Sequence, residues 1–181
     1  MIEYSTKAVV LKRVPKGDFD EVITLYTKDM GKISARAKGI RKITSKLSGH
    51  LQVGSLVTAR LLRKTDIQLI DAFSHRSGLT GPLHRFLLFI EAMTHHDAPD
   101  LHFWYGVEYA VENSVFVSGP QELRNRVYRR FLDILGFGSK FAKCGNCGDG
   151  KIAYFLPSDI MFLCSNSMKK VASESHEVVE I

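Results

Sequence analysis

Lys32-Ile33-Ser34-Ala35-Arg36-Ala37-Lys38 alternates without a break. Side chains alternate across an extended backbone, so Ile33, Ala35 and Ala37 share one face while Lys32, Ser34, Arg36 and Lys38 share the other. An apolar face of this kind must be buried against other strands, and the flanking sequence supplies them. Upstream, Lys7–Arg13 and Val22–Thr27 are rich in Val, Ile and Leu. Between them Val14-Pro15-Lys16-Gly17-Asp18 is turn chemistry, because Pro fixes φ and Gly accepts positive φ. Downstream, Leu56–Arg63 and Ile67–Phe73 flank Lys64-Thr65-Asp66. Five short strands within about 70 residues predict a small β-barrel or sandwich and not a βαβ fold.

After Ser77-Gly78-Leu79-Thr80-Gly81-Pro82 the period changes. Leu83, Phe86, Leu87, Ile90 and Met93 recur at helical spacing, as do Trp104, Val107, Val111 and Val115. Ser118-Gly119-Pro120-Gln121 predicts a capping-box start for a third helix, with Leu123, Val127, Phe131, Ile134 and Leu135 as its stripe. Gly136 stands where a left-handed C-terminal cap belongs. The reading is a two-domain α+β chain, divided into a barrel over residues 1–79 and a helical domain over residues 80–181.

Charge follows the same division. The chain has 181 residues and a net charge of +6, but residues 1–80 carry 15 basic and 7 acidic side chains and residues 81–181 carry 10 and 12. From Lys28 to Lys46 there are seven basic residues and one acid, Asp29. Lys32, Arg36 and Lys38 lie along one strand face, and Arg41, Lys42 and Lys46 continue the row into the next loop. Such a row can track a phosphate backbone, with affinity that falls steeply as salt rises. A small sheet must carry charges somewhere, but an ordinary surface interleaves both signs. Phe19, Tyr26 and Phe73 are candidate stacking partners, although aromatics in small barrels are more often core. The pattern points to a polyanion without choosing between DNA and RNA, so an RNA- or ribosome-binding module is the alternative.

Cys144-Gly145-Asn146-Cys147 is a CxxC, and Cys164-Ser165-Asn166-Ser167 follows sixteen residues later. A cysteine at 167 would complete a structural zinc signature. As it stands, Cys144, Cys147 and Cys164 are three candidate ligands for a structural zinc whose fourth ligand is open, a water or His176. The competing reading is a ribbon that packs without metal, its cysteines reduced. Lys151–Leu156 and Ile160–Leu163 are expected to form a hairpin around Pro157-Ser158-Asp159.

Other classes fall away. No run approaches the roughly 18 apolar residues of a membrane span, and the first residues lack the features of a signal peptide. Three cysteines, an odd number, argue against a disulfide framework. A cytoplasmic protein is expected. Thr94-His95-His96-Asp97 with His102 reads as a polar helix terminus, since adjacent histidines on a helix point about 100° apart. Asp18, Asp20 and Glu21 sit in an expected hairpin loop, where acids are ordinary. No phosphate-binding loop or nucleophile elbow is present, so no enzyme is expected.

The densest stretches are Thr6-Lys7-Ala8-Val9-Val10-Leu11-Lys12, Gly17-Asp18-Phe19-Asp20-Glu21-Val22-Ile23-Thr24-Leu25-Tyr26-Thr27 and Gly31 through Arg41, followed by Ser45-Lys46-Leu47 and Gly49-His50-Leu51-Gln52. They resemble the bacterial recombination mediator family RecO. The resemblance implies an N-terminal OB-fold, then a helical domain carrying a zinc-ribbon-like element at residues 144–167. It further implies single- and double-stranded DNA as ligands and annealing of complementary strands. RecR, single-stranded DNA-binding protein and RecA are the implied partners, without membrane attachment, in a nucleoid-associated cytoplasmic protein. Carried over residue by residue, the basic positions are Lys32, Arg36, Lys38 and Arg41. The sequence departs from the pattern at Ser167, where a fourth cysteine is expected. It continues for 14 residues beyond Ser167, so a shortened helical domain is expected.

Overall fold

The computed structural model describes residues 2–76, 80–171 and 178–181. The turn residues Ser77, Gly78 and Leu79 and the candidate ligand His176 lie outside the described residues. Two compact units are present, Met1–Asn113 and Ser114–Ile181.

In the first unit, β1 (Ile2–Lys16), β2 (Asp20–Thr27), β3 (Gly31–Ala37), β4 (Leu56–Arg63) and β5 (Ile67–Arg76) pair in the order β1-β2-β3-β5-β4. All neighbours are antiparallel except β3 and β5, which run parallel at Arg36/Gln68 and Ala37/Leu69. The length of β1 closes the ring. Its first half pairs with β4 from Ile2/Arg63 to Val9/Leu56, and its second half pairs with β2 from Ala8/Thr27 to Lys16/Asp20. A bulge between Val10 and Lys12 bends the strand where it changes partner. The result is a closed five-stranded barrel of the OB-like type. Ile33, Ala35 and Ala37 point inward, as the alternation predicts, to meet Val10, Ile23, Leu25, Val57 and Leu61. Ala8, Ala59 and Ala72 join them, because a narrow barrel has room for only some large side chains. The short helix α1 (Leu47–His50) lies between β3 and β4, and Leu47, Leu51 and Ile40 add to the same core.

Two helices follow within the same unit. Thr80 caps α2 (Gly81–Met93) by accepting from the Leu83 N–H, with Pro82 in the first turn. Asp100 caps α3 (Leu101–Glu112) by accepting from the Phe103 N–H at 3.0 Å. The helices start at Gly81, but by compactness α2 and α3 group with the barrel. The reason is packing. Tyr26 on the outer face of β2 meets Phe103 edge-on at 5.4 Å and stacks with Trp104 at 6.2 Å. Lys7 on β1 reaches Glu108 on α3 at 2.6 Å. The second apolar stripe does not run on to Val115, because Ser114 adopts a left-handed conformation (φ 53°) and breaks the helix.

The second unit opens with α4 (Val115–Ser118) and α5 (Gln121–Ile134). The expected capping box is not made: Ser118 ends α4, Pro120 occupies the N-cap, and no side chain caps the helix. The buried residues of α5 are Tyr128, Phe131 and Leu132, so its face is rotated slightly from the predicted stripe. Gly136 does end the helix as expected. With φ 84° it donates to Asp133 O while Phe137 N donates to Leu132 O, which is a Schellman motif. The ribbon hairpin also forms as expected, between β6 (Ile152–Leu156) and β7 (Met161–Cys164). A third strand, β8 (Val179–Glu180), pairs with β6, and α6 (Ser165–Val171) follows directly on β7.

Candidate nucleic-acid interface and cysteine cluster

The six basic candidates separate into three kinds. Lys32 is buried, 8% exposed, and its ammonium donates to the Glu91 carbonyl of α2 at 2.6 Å. Burial holds its pKa below the ordinary lysine value, against the pull of Glu91. This position is withdrawn from any surface row. The Lys32 residue lies beside Tyr26 in the β2–β3 register, on the part of the barrel wall that the helices cover.

Arg36 is half-exposed but engaged. Both its Nη2 and Nε donate to Asp20 Oδ2, at 2.6 and 2.9 Å. The other carboxylate oxygen accepts from the Gly39 N–H at 2.8 Å, which ties the end of β3 to the start of β2. That amide and the Arg36 guanidinium hold the Asp20 pKa below the usual carboxylate value.

Lys38, Arg41, Lys42 and Lys46 are exposed, and no salt bridge is found at any of them among the described residues. They belong to the segment between β3 and α1. Its shape comes from local turns, with Lys42 N donating to Gly39 O and Ser45 N to Lys42 O. Arg41 N donates to Phe19 O at 3.0 Å, which fastens the segment to the β1–β2 turn. Phe19 is 54% exposed there, with the Lys42 ammonium 5.7 Å from its ring centre. Cations and an aromatic face thus stand side by side, the pairing that single-stranded nucleic acid uses for phosphate and base.

The other aromatic candidates divide. Tyr26 is buried between barrel and α3, and burial pushes its phenol far above its ordinary pKa, so it is core and not a platform. Phe73 is 62% exposed on β5, with the rings of His50 and His75 at 5.6 and 5.5 Å. The sequence reading missed those two histidines. His75 lies two residues along β5 from Phe73 on the same face, and α1 brings His50 to it. Of the hairpin acids Asp18, Asp20 and Glu21, the last two are engaged by arginines. Asp20 is used by Arg36, and Glu21 holds Arg13 at 2.7 Å. Asp97 takes Arg63 at 3.0 Å.

Cys144, Cys147 and Cys164 come together with their sulfurs within 4.8 Å of one another, the one group of metal-ligating side chains found among the described residues. Cys144 and Cys147 lie on the tight turn preceding β6, where Gly148 N donates to Cys144 O and Gly145 N to Phe162 O. Gly145 lies so close to the Met161 side chain that any Cβ would collide with it. Cys164 ends β7. Burial acts to raise the Cys144 pKa, but the Ser167 hydroxyl and the backbone amides of Cys164, Asn146 and Cys147 outweigh it and bring the thiol down to about 6. The Ser167 hydroxyl also lowers Cys164. The donor set suits a thiophilic divalent ion such as zinc.

The fold and these two sites define an OB-like barrel protein with a basic, aromatic-edged loop and a separate cysteine ribbon. Residues 1–77 match the family model described as Recombination protein O N terminal. Over most of its length the chain is similar to the DNA repair protein RecO of Dehalococcoides mccartyi, 28% identical across 91% of this chain and 70% of that protein. The RecO of Chloroherpeton thalassium is 27% identical across 85% of this chain and 64% of its own. That of Synechococcus elongatus is 31% identical over a shorter stretch, 54% of this chain and 41% of its own. No helix among the described residues is long and apolar enough to cross a membrane.

Proposed function

We propose that this protein is a RecO-type mediator of DNA repair and recombination, that it is not an enzyme, and that its barrel holds DNA by the segment from Lys38 to Lys46. The observation that carries the reading is the exposed Phe19 ring with Lys42 beside it, on a segment that also bears the exposed Lys38, Arg41 and Lys46, in a barrel that matches this family model. Cations on a loop neutralise phosphates of either single- or double-stranded DNA. Bringing two neutralised strands together lowers their mutual repulsion, which is how annealing would follow. Loading of RecA, with RecR and single-stranded DNA-binding protein as partners, and residence at the nucleoid belong to the same reading and rest on family resemblance. The three cysteines hold a structural zinc that pins the turn before β6 to the end of β7.

The test is a labelled oligonucleotide titrated across salt, followed by a strand-annealing assay with and without single-stranded DNA-binding protein. The reading expects affinity that falls steeply with salt and annealing that survives the coated strand. A flat salt response overturns it. Preference for RNA over the matched DNA would favour the alternative module instead, and strand cleavage with magnesium or manganese would show an enzyme.

A further inference from the structure

Ser167 stands three residues after Cys164, at the position a second cysteine of the second knuckle would take. It lies in the first turn of α6, 3% exposed. A buried serine there would ordinarily cap the helix or bond a nearby carbonyl. Among the described residues this one does neither. Its hydroxyl oxygen lies 3.3 Å from Cys144 Sγ, 3.4 Å from Cys164 Sγ and 3.6 Å from Cys147 Sγ. Its backbone N–H donates to Cys164 Sγ at 3.4 Å.

One hydroxyl facing three sulfurs has two explanations. A hydroxyl has one proton and two lone pairs, so it can satisfy three thiols by hydrogen bonding alone. Alternatively, the four atoms are the corners of a coordination shell. Zinc–sulfur bonds of about 2.3 Å and zinc–oxygen bonds of about 2.0 Å, set tetrahedrally, place oxygen about 3.5 Å from each sulfur and the sulfurs about 3.8 Å apart. The three oxygen–sulfur separations bracket the first value, and Cys147 Sγ to Cys164 Sγ, at 3.6 Å, approaches the second. The hydrogen-bond account fits these contacts equally well on distance. It gives no reason for three thiols and a hydroxyl, drawn from two chain segments, to converge on one point.

Resting on the metal reading above, we propose that the Ser167 hydroxyl is the fourth ligand, making the centre a three-cysteine, one-serine site for a thiophilic divalent cation. Three thiolates and a neutral hydroxyl leave the bound ion with one net negative charge, where four cysteines would leave two. A hydroxyl is also a weaker donor than a thiolate and yields more readily to a competing ligand. The site therefore holds its metal less tightly than a four-cysteine ribbon and exchanges it faster. A change of residue type at this one position converts one into the other, without altering the backbone that positions it.

Zinc is spectroscopically silent, so the experiment uses cobalt(II) added to the full chain. Wild type, Ser167→Ala, Ser167→Cys and His176→Ala are compared by visible and near-ultraviolet absorption and by competition with a chelating dye. Wild type is expected to take up one cobalt per chain with the visible bands of a tetrahedral site. Ser167→Cys is expected to bind more tightly, release metal more slowly, and gain about one third in sulfur-to-metal charge-transfer intensity as three sulfurs become four. Ser167→Ala is expected to weaken binding by about tenfold or more, while His176→Ala leaves it unchanged. Cobalt bound as well by Ser167→Ala as by wild type overturns the proposal, as does a Ser167→Cys spectrum of unchanged intensity. If wild type takes up no tetrahedral cobalt, the metal reading itself fails and the inference with it. Should Ser167→Ala misfold, the Ser167→Cys intensity still decides.

Discussion

The Arg36 guanidinium is clasped by the Asp20 carboxylate, with both hydrogen bonds on the same oxygen, while the other oxygen takes the Gly39 N–H. Arg36 is thus a positioning residue that fixes where the basic segment leaves β3. Asp20→Asn should lower the thermal midpoint at neutral pH. Because its pKa is depressed in the folded state, the stabilisation is fully present above the unfolded carboxylate value near 3.8 and is lost as the pH falls through the depressed value. The gap in midpoint between wild type and Asp20→Asn should therefore close as the pH drops below about 4. A gap that stays constant with pH would refute the linkage.

Charge reversal separates the two kinds of lysine. Lys38→Glu combined with Arg41→Glu should weaken oligonucleotide binding. The slope of log affinity against log salt should fall by about one for each phosphate that is no longer neutralised. Lys32→Met should leave both affinity and slope unchanged, since the Lys32 ammonium is already committed to the Glu91 carbonyl. Arg36→Glu is a poor test of DNA contact, because it places two carboxylates together at Asp20 and disturbs the fold. Anisotropy titrations at four or five salt concentrations measure all of this.

These residues show what the sequence could and could not reveal. The inward face of β3 was legible because alternation is a local property, and Ile33, Ala35 and Ala37 are buried as that pattern requires. Whether an outward residue meets water depends on what packs outside the barrel. Lys32 therefore reads as a surface residue from sequence, whereas α2, distant in sequence, covers it; Tyr26, a candidate platform, is core under α3, as aromatics in small barrels more often are. The cysteines were legible from spacing, and the convergence of the Ser167 hydroxyl on all three was not, since it depends on the turn taken by α6.

Phe19 and Phe73 are both exposed but differ in their surroundings. Phe19 shares its ring face with Lys42 beside the basic segment, whereas Phe73 is flanked by two histidines. Stacking on one base is worth about 1–3 kcal/mol, so Phe19→Ala should weaken single-stranded binding by about tenfold with little effect on duplex, whose bases are already stacked. Phe73→Ala should change it less. Equal losses on single strand and duplex would mean that Phe19 supports the loop and does not stack.

Trp104 tests the grouping of α3 with the barrel. It is fully buried, stacks with Tyr26, and sits one residue from Phe103, which meets the same ring edge-on. Truncating such a side chain removes its burial and leaves a cavity, at a cost of about 3–5 kcal/mol. Trp104→Ala should lose that much in urea unfolding. Gly31→Ala offers a second approach to the same packing from the barrel side. Gly31 has φ 67°, and a Cβ there would collide with the Ala98 carbonyl oxygen in the connection between α2 and α3. The left-handed conformation alone costs a substituted residue about 1–2 kcal/mol, and the backbone collision adds to it. If the helices form one cooperative unit with the barrel, both variants shift a single transition monitored by Trp104 fluorescence in Gly31→Ala and by circular dichroism in both. A separate early transition confined to the helices would show that they dock without sharing the barrel's cooperativity.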